Sequence, residues 1–463
     1  MKTLLFFDDQ RLLKRENMRR VLGTPKLVPE SVYRDPHTSI GVGFPSVWQD
    51  EKSGLWRMAY QGFVPDKGYE VIPQMAISRD GVHFEPEDVT GDMPMPNRMF
   101  KNEYLPHELV HEVAKVYQDP YAPAEERYKA LCIDYHHDEH FVVNTLWTSP
   151  DARRWTHQKD RNWHTEGAEP GAGVFYNPVR SSYTLVVRPD WGERRITVTE
   201  TKDWRHFTRP ELAVQVDAQD EPVAETYGMP CFEYEGYFVG FLWIYHAPQS
   251  RENKYWGGRM DAQLTYSLNG WHFNRTLRQP FIPNGEPGEP HYGGVYPSAM
   301  RRLEDNSLMI YASCTEFEHG HFTMRERACI AAFSLRRDGF IYLESQGGPG
   351  EICTRPLLLE GGNLSLNLSA PVHPASCALY DLQGRPIPGF GHEDCLPFVG
   401  DSTEWMPRWK EKAFEELKGR LVELEVRLDG GRLYAVRGEF TPLMHMQALR
   451  YEQSGRIPDR KGF

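Results

Sequence analysis

Acids gather ahead of a series of short apolar runs along this chain. Arg34-Asp35-Pro36-His37 precedes Phe44-Pro45-Ser46-Val47, and His107-Glu108 with His111-Glu112 precedes Ala114-Lys115-Val116-Tyr117. Glu166 and Glu169 come before Gly173-Val174-Phe175-Tyr176, Glu225 before Tyr227-Gly228-Met229-Pro230, and Glu289 with His291 before Gly294-Val295-Tyr296. Further along the same segments stand His136, His137, Arg188, Asp190, Arg194, Arg195, Tyr245, His246, Glu316, His319 and His321. Two carboxylates facing one another can protonate a leaving oxygen and attack, or activate water at, an anomeric carbon. Arginine pairs with acidic sugars or holds hydroxyls. The chemistry expected of this set is cleavage of a glycosidic bond. Asp35, Glu166, Glu169 and Glu225 are the candidate acid, base or nucleophile, and Arg188, His246, His111, Glu289, His291 and Arg195 the candidate substrate contacts. The plainer use of each acid is a solvated loop or a turn cap, and of Arg188 a structural ion pair at the end of an apolar strand.

Positioning such residues requires a repeated scaffold, and the chain spells one out. A turn phrase of the form Ser-x-Asp-Gly-x-x-aromatic occurs at Ser78–Phe84, Ser149–Trp155, Thr201–Phe207 and Ser267–Phe273, and more loosely at Ser334–Phe340 with Asp338 as its acid. The copies are 71, 52, 66 and 67 residues apart. Such a period holds about four strands with their loops, the content of one propeller blade. Between copies the texture is β throughout, as in Trp56-Arg57-Met58-Ala59-Tyr60 and Tyr183-Thr184-Leu185-Val186-Val187, bounded by Gly, Pro, Asn and Asp. In meander blades these turns join strands three and four, so they mark the end of the axis opposite the acids. Their Ser and Asp side chains then serve nearby backbone N–H groups.

The expected architecture is all-β: a five-bladed β-propeller over residues 1–345, followed by a C-terminal β-sandwich over 346–463. The second domain is read from a long extended ribbon at 351–367, a strand at Ala378–Pro386, and two strands around Asp429-Gly430-Gly431, a hairpin signal. Lys410 to Lys418 is the one helical stretch expected, and the last dozen residues read as a loose tail.

Net charge is −12, from 53 basic and 65 acidic residues, which argues against nucleic acid or an anionic membrane as partner. The apolar run after Met1 is too short for a signal peptide, and nothing approaches the roughly 20 apolar residues of a membrane span. Seven cysteines, odd in number and never in C-x-x-C spacing, indicate neither zinc nor a disulfide framework, and point to a reducing cytoplasm. His136-His137-Asp138-Glu139-His140 is ligand-rich, but adjacent strand residues point to opposite faces; His319-Gly320-His321 could set two rings on one side. No cofactor is required. A structural Ca²⁺ or Na⁺ near the axis, and a homo-oligomer, are left open.

The texture resembles the five-bladed propeller glycosidases, the superfamily of glycoside hydrolase families 32, 43 and 68, and most closely their bacterial family-32-like relatives. Leu5-Phe6-Phe7-Asp8-Asp9, Tyr227-Gly228-Met229-Pro230, Asp261–Ser267, Pro280–Gly285 and Asp338-Gly339-Phe340 carry the resemblance. In the second domain Thr354-Arg355-Pro356-Leu357, Leu364–Asn367 and Gly384–Phe390 carry it. It implies a glycoside hydrolase, with a phosphorylase or transglycosylase, or a non-catalytic carbohydrate-binding propeller, as the alternatives. The family's N-D-P-N-G nucleophile motif has no counterpart, since Gly43-Phe44-Pro45-Ser46-Val47 holds no acid. Its R-D-P and E-C-P motifs also lack a direct match, so no family catalytic residue carries over and invertase-like activity is not implied.

Overall fold

The apolar runs bounded by turn residues are strands. A computed structural model describes the chain apart from residues 39–40, 65–69, 102–108, 137–140, 164–170, 179, 190–193, 249–256, 320–327 and 458–463. Two compact units result, Pro25–Leu335 and a second built from Met1–Thr24 with Arg336–Phe463. The expected boundary at 345 is thereby corrected. Lys2–Leu5, Leu12–Glu16 and Met18–Leu22 pair with Arg432–Pro442, Pro349–Thr354 and Ile341–Ser345, so backbone hydrogen bonds commit the first 24 residues to the second unit.

Pro25–Leu335 consists of antiparallel meanders. The first runs Gly41–Gln49, Trp56–Val64, Glu70–Ser78 and Glu85–Pro86; the second Leu109–Gln118, Tyr128–His136, Phe141–Ser149 and Thr156–His157; the third Gly173–Asn177, Ser182–Val187, Ile196–Thr201 and Glu211–Val214. The fourth has a divided first strand, Ala224–Gly228 and Cys231–Tyr234, followed by Tyr237–His246, Arg259–Ser267 and Asn274–Ile282. The fifth comprises Gly294–Arg302, Leu308–Thr315 and Cys329–Leu335, and its outermost strand is Lys26–Tyr33 from far back in the sequence. One parallel bridge, Met260 to Gly294, ties the fourth meander to the fifth.

Middle strands of the meanders are buried without alternation; Ser182–Val187 and Ile196–Thr201 are buried at every position, the threonines and Glu200 included. Separate cores fill the gaps in sequence. Trp48, Met75, Val113 and Trp147 join the first meander to the second; Leu131, Leu146, Val174 and Leu185 the second to the third; Phe175, Val198 and Leu242 the third to the fourth. Trp243, Met260 and Tyr296 join the fourth to the fifth, and Tyr311, Ile330, Val47 and Met58 return the fifth to the first.

The repeated turns connect third to fourth strands as expected. Asp80 Oδ1 accepts from the backbone N–H of Val82 and His83, both at 2.9 Å, and Ser78 Oγ from Gly81 N–H at 3.0 Å. Asp151, Asp203 and Asn269 repeat the pattern. The fifth copy departs from it. Asp338 is buried, pairs with Arg437, and accepts from Asn367 Nδ2 at 2.9 Å, serving the core of the second unit instead.

In that second unit Leu357–Tyr380 is the longest strand and pairs with Phe398–Trp405, Leu421–Asp429 and Arg432–Pro442. The expected helix at 410–418 reduces to a single 3₁₀ turn, Phe414–Leu417, while the α-helix lies at His445–Ser454. Gln447 Oε1 accepts from Met444 N–H at its start, Gly455 closes it in the left-handed conformation, and Ala448 packs beside Leu358 and Leu443. No helix among the described residues is long and apolar enough to cross a membrane.

Candidate functional site

Contacts between meanders that are not neighbours in sequence mark the place where their first strands converge. Phe44, on the first strand of the first meander, lies 5.7 Å from both Trp243 of the fourth and Tyr296 of the fifth. The local sequence aims it there. Strand register slips between Gly43 and Ser46, and Phe44 takes φ 52°, a conformation unfavourable for a side chain of its size. Trp243 is fixed by its indole N–H on Pro297 O at 3.0 Å.

Tyr227 sits at a second irregularity. Pairing between Ala224–Gly228 and Tyr237–His246 slips between Thr226 and Gly228, and Pro230 then ends the segment. The ring lies 6.2 Å from Tyr245, 6.3 Å from Tyr296 and 5.2 Å from His319, and its hydroxyl is 3.0 Å from His319 Nε2. Arg188 packs its guanidinium 4.6 Å from the Tyr227 centroid; Arg194 lies 5.2 Å from Tyr227 and 5.5 Å from Tyr245, and pairs with Glu225. Glu225 and Tyr245 are direct partners across the two strands, which puts both side chains on one face.

Burial divides this cluster into support and contact surface. Trp243, Tyr245, Tyr296 and Arg188 are buried, whereas Phe44, Tyr227, His319, Arg194 and Glu225 keep access to water, the Glu225 side chain 41%. Burial pushes the Tyr245 phenol up, and its O–H donates to Gly257 O at 2.6 Å. Aromatic faces beside two guanidinium groups and a carboxylate can take the C–H face of a sugar ring and bind its hydroxyl or anionic groups.

The other expected residues go elsewhere. Asp35 is 4% exposed, and its Oδ2 accepts from Tyr60 O–H at 2.6 Å and Asn97 Nδ2 at 2.7 Å; Oδ1 takes His37 N–H at 2.7 Å. Tyr33 completes this enclosed network through Tyr60. His246 lies on the face of its strand opposite Glu225. Its Nε2 is 2.7 Å from buried Asp261 and its Nδ1 3.0 Å from Glu221, and these partners raise its pKa to about 9. Glu289 and His291 belong to the loop between Asn274–Ile282 and Gly294–Arg302, where Glu289 caps Glu286 N–H at 2.7 Å and His291 packs 5.3 Å from Phe333. Burial lowers the His291 pKa. Arg195, the neighbour of Arg194, is exposed. Glu166, Glu169, Asp190, His107, Glu108, His137–His140, His321 and the side chains of His111 and His136 lie outside the described residues.

Of the residues put forward from sequence, Arg188, Arg194, Glu225, Tyr245 and His319 lie together here, and Phe44, Tyr227, Trp243 and Tyr296 were not among them. Those four are aromatic strand residues, and only their contacts distinguish them from core. Among the described residues no group of three or more His, Cys, Asp or Glu could hold a metal ion.

No family model and no curated protein matches the sequence. Solved structures do resemble part of it. An N-acetylgalactosamine deacetylase from F. plautii in complex with blood group B trisaccharide is 14% identical with TM-score 0.48, covering 70% of this chain and 97% of its own. A β-1,2-mannobiose phosphorylase from Listeria innocua gives 14% and 0.47 over 70% and 98%. A glycosyl hydrolase from Bacteroides ovatus gives 14% and 0.45 over 70% and 96%.

Proposed function

We propose that Pro25–Leu335 is a five-bladed propeller, that Arg336–Phe463 contributes a β-sandwich, and that the chain is a glycoside hydrolase binding its sugar at Tyr227. The observation that carries this reading is the cross-axis cluster, in which aromatic rings of three meanders meet Arg188, Arg194 and Glu225. Glu225 acts at the glycosidic centre, with Glu166 or Glu169 as the second carboxylate; Tyr227 stacks on the ring and Arg194 orients Glu225. Seven free, buried cysteines suit a reducing cytoplasm.

Two guanidinium groups at one sugar site also favour phosphorolysis, in which phosphate takes the place of water. A panel of oligosaccharides and aryl glycosides incubated with and without inorganic phosphate separates the two. Product formed without phosphate supports hydrolysis, and product formed only with phosphate supports the second reading. Glu225→Gln is expected to lose about 10²-fold or more of the rate. A wild-type rate in that variant removes Glu225 from the chemistry.

A further inference from the structure

The second unit carries a line of three side chains that the sugar site does not use. Ser376 Oγ lies 2.8 Å from His392 Nδ1, and His392 Nε2 lies 2.9 Å from Glu425 Oε1. Ser376 belongs to Leu357–Tyr380 and Glu425 to Leu421–Asp429. Ala378, two residues beyond Ser376, is the cross-strand partner of Glu425, so Ser376 and Glu425 share one face of the sheet. His392 reaches over that face from a turn pinned to the strand at both ends. Leu379 N–H donates to Phe390 O at 3.0 Å before the turn, and Cys377 N–H to Cys395 Sγ at 3.4 Å after it. These bonds and the buried Phe390 ring hold the turn without the polar line.

Hydrogen accounting fixes what the imidazole does. An ionised carboxylate only accepts, so His392 Nε2 carries the proton shared with Glu425. Burial, aided by the Arg427 charge, holds the His392 pKa below its ordinary value against the pull of Glu425. At pH 7 the ring is therefore neutral, Nδ1 is left as an acceptor, and the Ser376 O–H donates to it. A hydroxyl donating to a neutral imidazole, whose other nitrogen a carboxylate holds, is a nucleophile with its base and its orienting group. The two ring nitrogens exchange the positions they have in serine proteases, but each role is filled. The His392 and Glu425 side chains are 12% and 10% exposed, whereas Ser376 is only half-buried and open to a reactant. Arg427 is the cross-strand partner of Ser376 and is exposed on the same face, anchored to Glu425 at 2.9 Å and Glu351 at 3.0 Å. Its guanidinium is the cation on hand for a negative oxygen at the reacting centre.

We propose that Ser376, His392 and Glu425 form an active centre of the second unit that hydrolyses carboxylic esters. Ser376 Oγ bonds to the ester carbonyl carbon as its proton passes to His392 Nδ1, and Glu425 stabilises the imidazolium that forms. The carbon–oxygen bond to the alcohol then breaks, and the same proton goes to the departing oxygen. Water repeats the sequence on the acyl-serine, releasing the carboxylic acid and restoring the hydroxyl. This centre lies in a different unit from Tyr227 and stands whether or not the chain cleaves glycosides.

The test is hydrolysis of p-nitrophenyl acetate by the full chain, wild type against Ser376→Ala and His392→Gln. Release of nitrophenolate above the buffer rate, slowed about 10²-fold or more by each substitution, is expected. No release above buffer, or release that survives either substitution, overturns the proposal. Should the variants fail to fold, the wild-type chain decides: treated with a fluorophosphonate and cut into peptides, it should carry the phosphonyl group on Ser376. A label on other residues only, or no label, refutes the site.

Discussion

Two carboxylates, Asp35 and Glu225, show how differently one residue type is used here. Asp35 is enclosed and accepts from Tyr60, Asn97 and His37, so Asp35→Ala leaves buried donors without an acceptor. It should lose on the order of 2–5 kcal/mol in urea unfolding. Glu225 faces water beside Arg194, and its conservative replacement should leave stability near wild type. His246 adds a pH dependence. Its folded pKa of about 9 is above the ordinary 6.5, so its contribution is complete below about pH 6.5 and disappears as pH rises through 9. Urea midpoints should fall over that window, and Asp261→Asn should flatten the fall; an unchanged slope contradicts the pairing. Residue types were readable at both places, but which acid is enclosed depends on Tyr60 and Asn97, 25 and 62 positions away, and no local pattern reports that.

Turns and irregular strands govern the element scale. The Ser/Asp turn was legible because its acceptors serve N–H groups two and three residues on, a purely local matter. Asp338 imitates the phrase but pairs with Arg437, which lies 99 positions away, and local reading fails there for that reason. Lys410–Lys418 failed differently, its charged composition suiting a helix while only Phe414 and Leu417 are buried to hold one. The turn also makes a sharp prediction. Gly270 has φ 70°, and a Cβ there would meet Phe175 Cζ at 2.6 Å. Gly270→Ala should therefore destabilise by more than the ~1 kcal/mol of conformational strain alone, read as a drop in Tm, with glycoside turnover per folded molecule unchanged. A neutral substitution would show that the third and fourth meanders are not in contact at this turn.

At the scale of the molecule, the repeat period and β texture made the successive antiparallel meanders of Pro25–Leu335 readable. The exchange of the first 24 residues into the other unit was not readable, because strand pairing between chain ends leaves no trace in local sequence. The proposed function rests on side chains of several meanders meeting, Phe44 on Trp243 and Tyr296 and the two arginines on Tyr227, which no single segment reports. The decisive measurement is turnover of a glycan panel by the wild-type chain, Tyr227→Ala and Glu225→Gln, each first shown to unfold at the wild-type temperature. A glycoside cleaved by the wild type, with both variants slowed about 10²-fold or more, is the result expected. Cleavage at full rate by both variants would contradict the assignment of this cluster as the active site.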